Sequence, residues 1–519
     1  MKRLIAILLC LALLCGSAGV CASAAETPGT DIPTVYVLGT GSGLVAPNPD
    51  GTERRVYKIP MPDDFVSTTV KENFDVFKRA FFTQQWDEFC VMLHDVITPL
   101  FDELRLDENG EAPNGSHCDI VYDRSRIDGS KVDGKYPTAR YWFAYDWRMD
   151  PYKTADELHR YIEDVLAVTG EEKVNLIGRC LGACITAAYM EKYDGEHVAS
   201  YLLYAGALYG ATPCSKAFSG ELYLESGGVE RYLYDVDLEQ FVDDVTSELL
   251  RSFVTLLRKT GGLNIATWAV NNVFRQIKLK VVPPIVSETY GTFPAYWAMV
   301  SDRDYEKAKE TVFYGADMEK WANFIRIIDA YHYNVQVRTP ELLAHYREKG
   351  IRVANVVKYG WQEIPVTHDS DKLSDGLCRV EDASLGAVTA PILGTLKKSY
   401  LKKADMQYVS PDLQIDASAC LLPDRTWFIK DLAHMDFPES VERLFDYILN
   451  EPDCTVRDNE AYPQYLVYDS ETEDILPMTA ENCDTTGRYR HTFFDTLKRF
   501  LKALMIVIRR RIESKRGAE

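Results

Sequence analysis

Apolar and polar positions along this chain fall into two repeating patterns. Short apolar, β-branched runs at Thr34–Leu38, Arg140–Tyr145, Val174–Ile177, Val198–Ala205, Ile351–Lys358 and Arg425–Ile429 predict strands. Between them, apolar residues recur every three or four positions and predict helices. Residues 66 to 104 place Phe74, Val76, Phe77 and Phe81 on one such face. A helix starting at Thr154, with Glu157 three residues on as a capping box, presents Leu158, Tyr161, Ile162, Val165 and Leu166. Ala183 to Lys192 and Glu439 to Leu449 are further helices. Strands alternating with helices predict a parallel sheet of the α/β class.

The alternation lapses twice. From about 216 to 345 long mixed helices run without matching strands, which predicts an inserted cap or lid. After Leu449 the composition turns loop-like and acidic over 451–490, and a basic helix occupies 491–519. In that helix Phe493, Leu497, Phe500, Leu501, Leu504, Met505, Ile508 and Ile512 recur at helical spacing among Lys498, Arg499, Lys502 and Arg509 to Arg511. The segment Thr492–Arg516 is not expected to span a bilayer. It fits a peripheral membrane contact in the interface or a helix packed on its own domain or a partner.

The N-terminal segment reads as an export signal over residues 1–24. Lys2 and Arg3 are basic, Leu4 to Leu14 apolar, and Ala22-Ser23-Ala24 a small-residue cleavage site, so a secreted protein is expected. Three of the 12 cysteines fall in that segment and nine follow it, an odd number that leaves at least one unpaired thiol in an exported protein. No Cys-x-x-Cys spacing points to a metal, and no cofactor is expected. The formal net charge of −20 argues against nucleic acid as a partner.

The chemistry concentrates at Lys173-Val-Asn-Leu-Ile-Gly-Arg-Cys-Leu-Gly-Ala183. A buried strand, then Gly178-Arg179-Cys180-Leu181-Gly182, then a helix is the context of a nucleophile elbow with a thiol in place of the usual hydroxyl. A helix N-terminus and the neighbouring Arg179 both favour the thiolate. The competing reading is that Cys180 is a small buried filler in an inactive elbow. Gly39-Thr-Gly-Ser-Gly43, ending the first strand, lacks the Gly-Lys-Ser/Thr of a phosphate loop and reads as an oxyanion loop. An elbow implies an acid and then a histidine further along. His434 follows the strand ending near Ile429, whereas His332 and His94 read as structural. Asp375, in the turn Ser374-Asp375-Gly376, is the candidate acid, with Asp382 a weaker competitor.

Four elements in order resemble the lecithin:cholesterol acyltransferase family, with its phospholipid:diacylglycerol acyltransferase relatives. They are Tyr145-Asp-Trp-Arg148, Gly206-Ala-Leu-Tyr-Gly-Ala-Thr-Pro-Cys-Ser-Lys216, Ser374-Asp-Gly-Leu-Cys-Arg-Val-Glu381 and Ala433-His434-Met435. The resemblance spans roughly residues 33 to 449. It implies an α/β-hydrolase fold, with core segments 30–215 and 346–450 flanking the 216–345 cap. It also implies Asp375 as acid, His434 as base and Cys180 where the family has the serine of Gly-His-Ser-x-Gly. The backbone N–H groups of Thr40 and Leu181 would form the oxyanion hole.

The implied function is an acyl hydrolase or acyltransferase acting on lipid-like ester or thioester substrates through an acyl-enzyme. Thiolate leaves a tetrahedral intermediate more readily than alkoxide, so thioesters and activated esters suit a cysteine better than ordinary esters. A catalytically inert surface-binding protein of the same fold, and a cysteine amidase or peptidase using the same triad, remain as alternatives.

Overall fold

The computed structural model describes residues 29–40, 42–56, 65–120, 124–240, 242–484 and 486–516. Residues 1–24, expected from the sequence to be an export signal, Gly41 of the glycine loop and the side chain of Phe81 lie outside the described residues.

Eight strands form the central sheet: β1 (Thr34–Val37), β2 (Tyr141–Phe143), β3 (Val174–Arg179), β4 (Val198–Tyr204), β5 (Arg352–Tyr359), β6 (Thr426–Lys430), β7 (Tyr465–Asp469) and β8 (Asp474–Pro477). Their spatial order is β8-β7-β6-β5-β4-β3-β1-β2. Every neighbouring pair is parallel except β7 and β8, which form an antiparallel hairpin. The chain is therefore a mixed α/β protein with a mostly parallel sheet flanked by helices.

Successive side chains of a strand point to opposite faces, and here both faces are covered, as parallel sheets require. Val35, Val37, Leu176, Tyr201, Leu203, Val353 and Val357 enter one core with helices α1 (Pro151–Thr169) and α2 (Leu181–Lys192). Tyr36, Ile177, Leu202, Tyr204, Ala354 and Val356 enter the other, together with Val441, Leu444, Phe445 and Ile448 of the helix Glu439–Asn450.

Three local expectations are corrected. Helix α1 begins at Pro151, not Thr154: the Asp150 carboxylate caps it by accepting from the Tyr152 N–H at 2.9 Å. Aspartate followed by proline at the first helical position outcompetes the later threonine, which is buried in the first turn. Residues 66 to 104 are broken into separate helices Phe65–Glu72, Phe74–Thr83 and Trp86–Ile97, with Gln84 in the left-handed region between the last two. The acidic 451–490 segment supplies β7 and β8, because Tyr465-Leu-Val-Tyr-Asp469 is a β-rich run hidden among Asp, Asn and Pro.

Between β4 and β5 the described chain is helical from Thr212–Phe218 to Thr339–Glu348. The insertion includes α3 (Asp244–Lys259) and α4 (Gly262–Val286). The last described helix, α5 (Phe493–Arg516), packs on α3.

Candidate active site

The elbow stands where β3 ends at Arg179 and α2 begins at Leu181. Cys180 between them has φ 53° and ψ −123°, a conformation that costs an L-residue about 1–3 kcal/mol. Surrounding hydrogen bonds hold it there. Its N–H donates to the Tyr204 carbonyl at 3.2 Å, and its carbonyl accepts from the N–H groups of Ala183 and Ala207 at 3.1 and 3.2 Å.

The flanking glycines are required by packing. A Cβ on Gly182 would lie 2.3 and 2.4 Å from the carbonyl oxygens of Val37 and Leu38. One on Gly178 would lie 2.3 Å from Thr186 Oγ1 and 2.8 Å from Ala183 Cα. Across the gap, a Cβ on Gly39 would approach Cys180 Cβ to 3.0 Å, so the glycine loop sits directly against the thiol-bearing residue.

Asp375 and His434 arrive from the carboxyl ends of β5 and β6. Asp375 Oδ1 accepts from the N–H groups of Leu377 and Cys378 at 3.0 and 2.8 Å. Its Oδ2 lies 2.7 Å from His434 Nδ1, and the His434 N–H donates to the Asp375 carbonyl at 2.8 Å. Backbone and side chain thus fix the imidazole together. His434 Nε2 is buried and makes no regular hydrogen bond among the described residues, while the Cys180 thiol is its strongest electrostatic neighbour after Asp375.

Cys180, Asp375 and His434 are all buried, so their charges act directly on one another. Burial works against ionising Cys180, but His434, the Leu181 N–H and Arg179 overcome it and hold the thiol below its ordinary value. Burial likewise opposes the imidazolium, yet Asp375 and Cys180 push His434 up to about 9. Asp375 is buried too, and the His434 and Lys358 charges with the hydrogen bonds keep its carboxyl below the usual range. The arrangement favours a thiolate–imidazolium–carboxylate triad. All nine described cysteines are free thiols. Burial raises Cys90, Cys118, Cys184, Cys378, Cys420 and Cys454, with Cys184 pushed up to about 12.

Arg179 faces the loop that carries His434. Its Nη2 donates to the carbonyls of His434 and Met435 at 3.0 and 2.8 Å, with the guanidinium against Tyr204 and Phe437. Lys358, invisible to the sequence reading, joins it. This buried lysine of β5 donates from Nζ to the carbonyls of Ala433, His434 and Asp436 at 2.7, 2.6 and 3.0 Å. Burial, with the neighbouring Arg179, lowers it to about 7. The sequence signal was a lysine inside the apolar run Val356-Val357-Lys358-Tyr359. A buried charge in a central strand needs partners, and here three carbonyls supply them.

The remaining predicted residues lie as follows. Asp382 pairs with Arg303 at 3.0 Å and makes no contact with His434. Leu181 begins α2, and Thr40, partly exposed, ends the described stretch after β1. Neither N–H donates to another backbone carbonyl among the described residues. Tyr145 Oη donates to the Leu38 carbonyl at 2.9 Å, and Trp147 Nε1 to that of Ser42 at 3.1 Å, so the Tyr145–Arg148 element props the glycine loop from both sides. Fully buried Arg148 pairs with Asp146 within that element and ties it to Leu104 and Ser116. Asp375, Cys378 and His434 place three ligand-type atoms within 4.8 Å of one another, but a cation there would have to displace the Asp375–His434 hydrogen bond. No protein-family model and no curated protein matches the chain.

Proposed function

We propose that the protein is an exported α/β hydrolase of the lecithin:cholesterol acyltransferase type. It would form an acyl-enzyme on Cys180 from lipid-like thioester or activated ester substrates and pass the acyl group to water or another acceptor. One observation carries this reading: Cys180 is held at φ 53° on a strand–helix junction beside an imidazole that is itself 2.7 Å from a buried carboxylate.

In the first step the Cys180 thiolate attacks the carbonyl carbon. A C–S bond forms, and the carbonyl π electrons move to oxygen. The backbone N–H groups of Leu181 and Thr40 are the donors for that oxyanion. The intermediate then collapses with cleavage of the bond to the leaving group, which takes the proton from His434 Nε2. Neutral His434 next accepts a proton from the incoming water, alcohol, amine or thiol as its O, N or S bonds to the thioester carbon. The C–S bond then breaks, the acyl product leaves, and the Cys180 thiolate is restored beside the His434 imidazolium. Asp375 keeps Nδ1 protonated throughout, and Arg179 with Lys358 hold the histidine loop in place. The helical insertion would act as a cap over the strand ends.

Turnover tests the reading. Wild type is expected to cleave a long-chain acyl thioester, and Cys180→Ala to lose that activity while remaining folded. Folded wild type inactive on thioesters, activated esters and amides alike would favour the inert surface-binding reading. Turnover of amides alone would favour the amidase.

A further inference from the structure

We infer that the solvent face of α5 is a docking surface for an anionic lipid bilayer, independently of the chemistry at Cys180. The helix has two apolar faces, and the fold uses only one. Thr496 and Ala503 are buried, and Phe500 stacks on Phe253 of α3 with ring centroids 6.2 Å apart. Arg499 lies 3.6 Å from Glu248, and Arg510 pairs with Asp243 at 2.9 Å. These contacts fix which side of α5 faces inward.

The second stripe is Phe494, Leu501, Met505, Ile508 and Ile512. Its spacings of seven, four, three and four residues keep it on one side of the helix. All five are exposed, Phe494 by 80 % and Met505 by 64 %. A packed core helix does not leave five large apolar side chains aligned in water.

Charge decides the occupant. Lys498, Lys502 and Arg509 are exposed along one flank of the stripe, and the helix carries eight basic residues against Asp495 and Glu513. Glu513 is engaged by Arg509 at 2.9 Å. The chain as a whole has a formal charge of −20, so its net charge opposes an anionic surface and attraction has to come from a local cationic patch. A cationic flank beside an apolar stripe suits lipid headgroups above acyl chains. Among the described residues no helix is long and apolar enough to cross a membrane, so α5 would lie in the interface.

The test is sedimentation of the full-length protein with vesicles of phosphatidylcholine containing phosphatidylglycerol, compared with phosphatidylcholine alone. Wild type should bind the anionic vesicles and be released by high salt. The triple variant Lys498→Gln/Lys502→Gln/Arg509→Gln should bind about 100-fold more weakly. Leu501→Glu/Met505→Glu/Ile508→Glu should lose binding, with circular dichroism unchanged because these side chains already face solvent. Three results would each overturn the inference. One is wild type that ignores anionic vesicles; another is stripe variants that bind undiminished. The third is wild type that runs as a dimer, without vesicle binding, and becomes monomeric in the stripe variant, which would assign the face to a second copy.

Discussion

Replacing Asp375 by asparagine probes the triad most selectively, because the substitution is nearly isosteric and its consequences separate cleanly. The amide oxygen can still accept from the N–H groups of Leu377 and Cys378, now at 3.0 and 2.8 Å from Oδ1, so the turn should persist. What is lost is the charged partner 2.7 Å from His434 Nδ1. A hydrogen bond to a charged group is worth about 1.5–3 kcal/mol. At about 1.36 kcal/mol per tenfold, His434 should hold its second proton about 10- to 100-fold more weakly. His434 then falls from about 9 toward neutrality, since burial, opposed mainly by Asp375, now dominates. Cys180 must rise in turn, having lost the full charge of the partner that most favours its thiolate. Measured as the rate of iodoacetamide alkylation between pH 5 and 9, Asp375→Asn should therefore react at least about tenfold more slowly at pH 6, with its profile displaced to higher pH. Acyl turnover should fall by several powers of ten, as in serine triads with the acid removed. Asp382→Asn, which removes the carboxylate paired with Arg303 rather than the one beside His434, is the control and should retain the wild-type profile. If Asp375→Asn alkylates like wild type, or Asp382→Asn shows the loss instead, the assignment of the acid is wrong.

Lys358→Met should raise the pH at which Cys180 alkylates and lower turnover, with Lys358→Arg restoring part of the reactivity; an unchanged profile would reduce the lysine to a packing role. Gly182→Ala forces a Cβ to within 2.4 Å of two fixed backbone oxygens and should cost about 3 kcal/mol of stability, read by chemical denaturation. Cys180→Ser should turn over more slowly than wild type, because a hydroxyl needs stronger general-base help than a pre-formed ion pair provides. The rate of acylation should need Cys180 ionised and His434 protonated. It should thus decline as pH falls through the lowered thiol value and again as pH rises through about 9, where His434 loses its proton.

Strand positions were legible because β-branched apolar runs in a doubly covered sheet are nearly continuous, and β1, β3, β4, β5 and β6 follow them closely. The elbow was legible for a related reason: two glycines around one residue between a strand and a helix leave few other geometries. The pair β7 and β8 escaped notice, since a five-residue strand amid Asp, Asn and Pro carries too little pattern. Lys358 escaped because a lysine in a strand ordinarily marks a solvent face, and only tertiary structure reveals the carbonyls that satisfy it. Arg179 was read as a neighbour of the thiol. Its side chain leaves the elbow and reaches the histidine loop 255 positions later, a contact that no local pattern encodes. The C-terminal helix was ambiguous from its periodicity, and the structure resolves part of that ambiguity: one apolar face is packed on α3, the other open.

The most direct measurement is the intact mass of the protein after brief exposure to a lipid-like activated ester, with peptide mapping of the modified residue. One acyl group should be added per chain, located on Cys180, removed by hydroxylamine as a thioester is, and absent from Cys180→Ala. Acylation elsewhere, or an unmodified Cys180 in folded protein at pH 7, would contradict it.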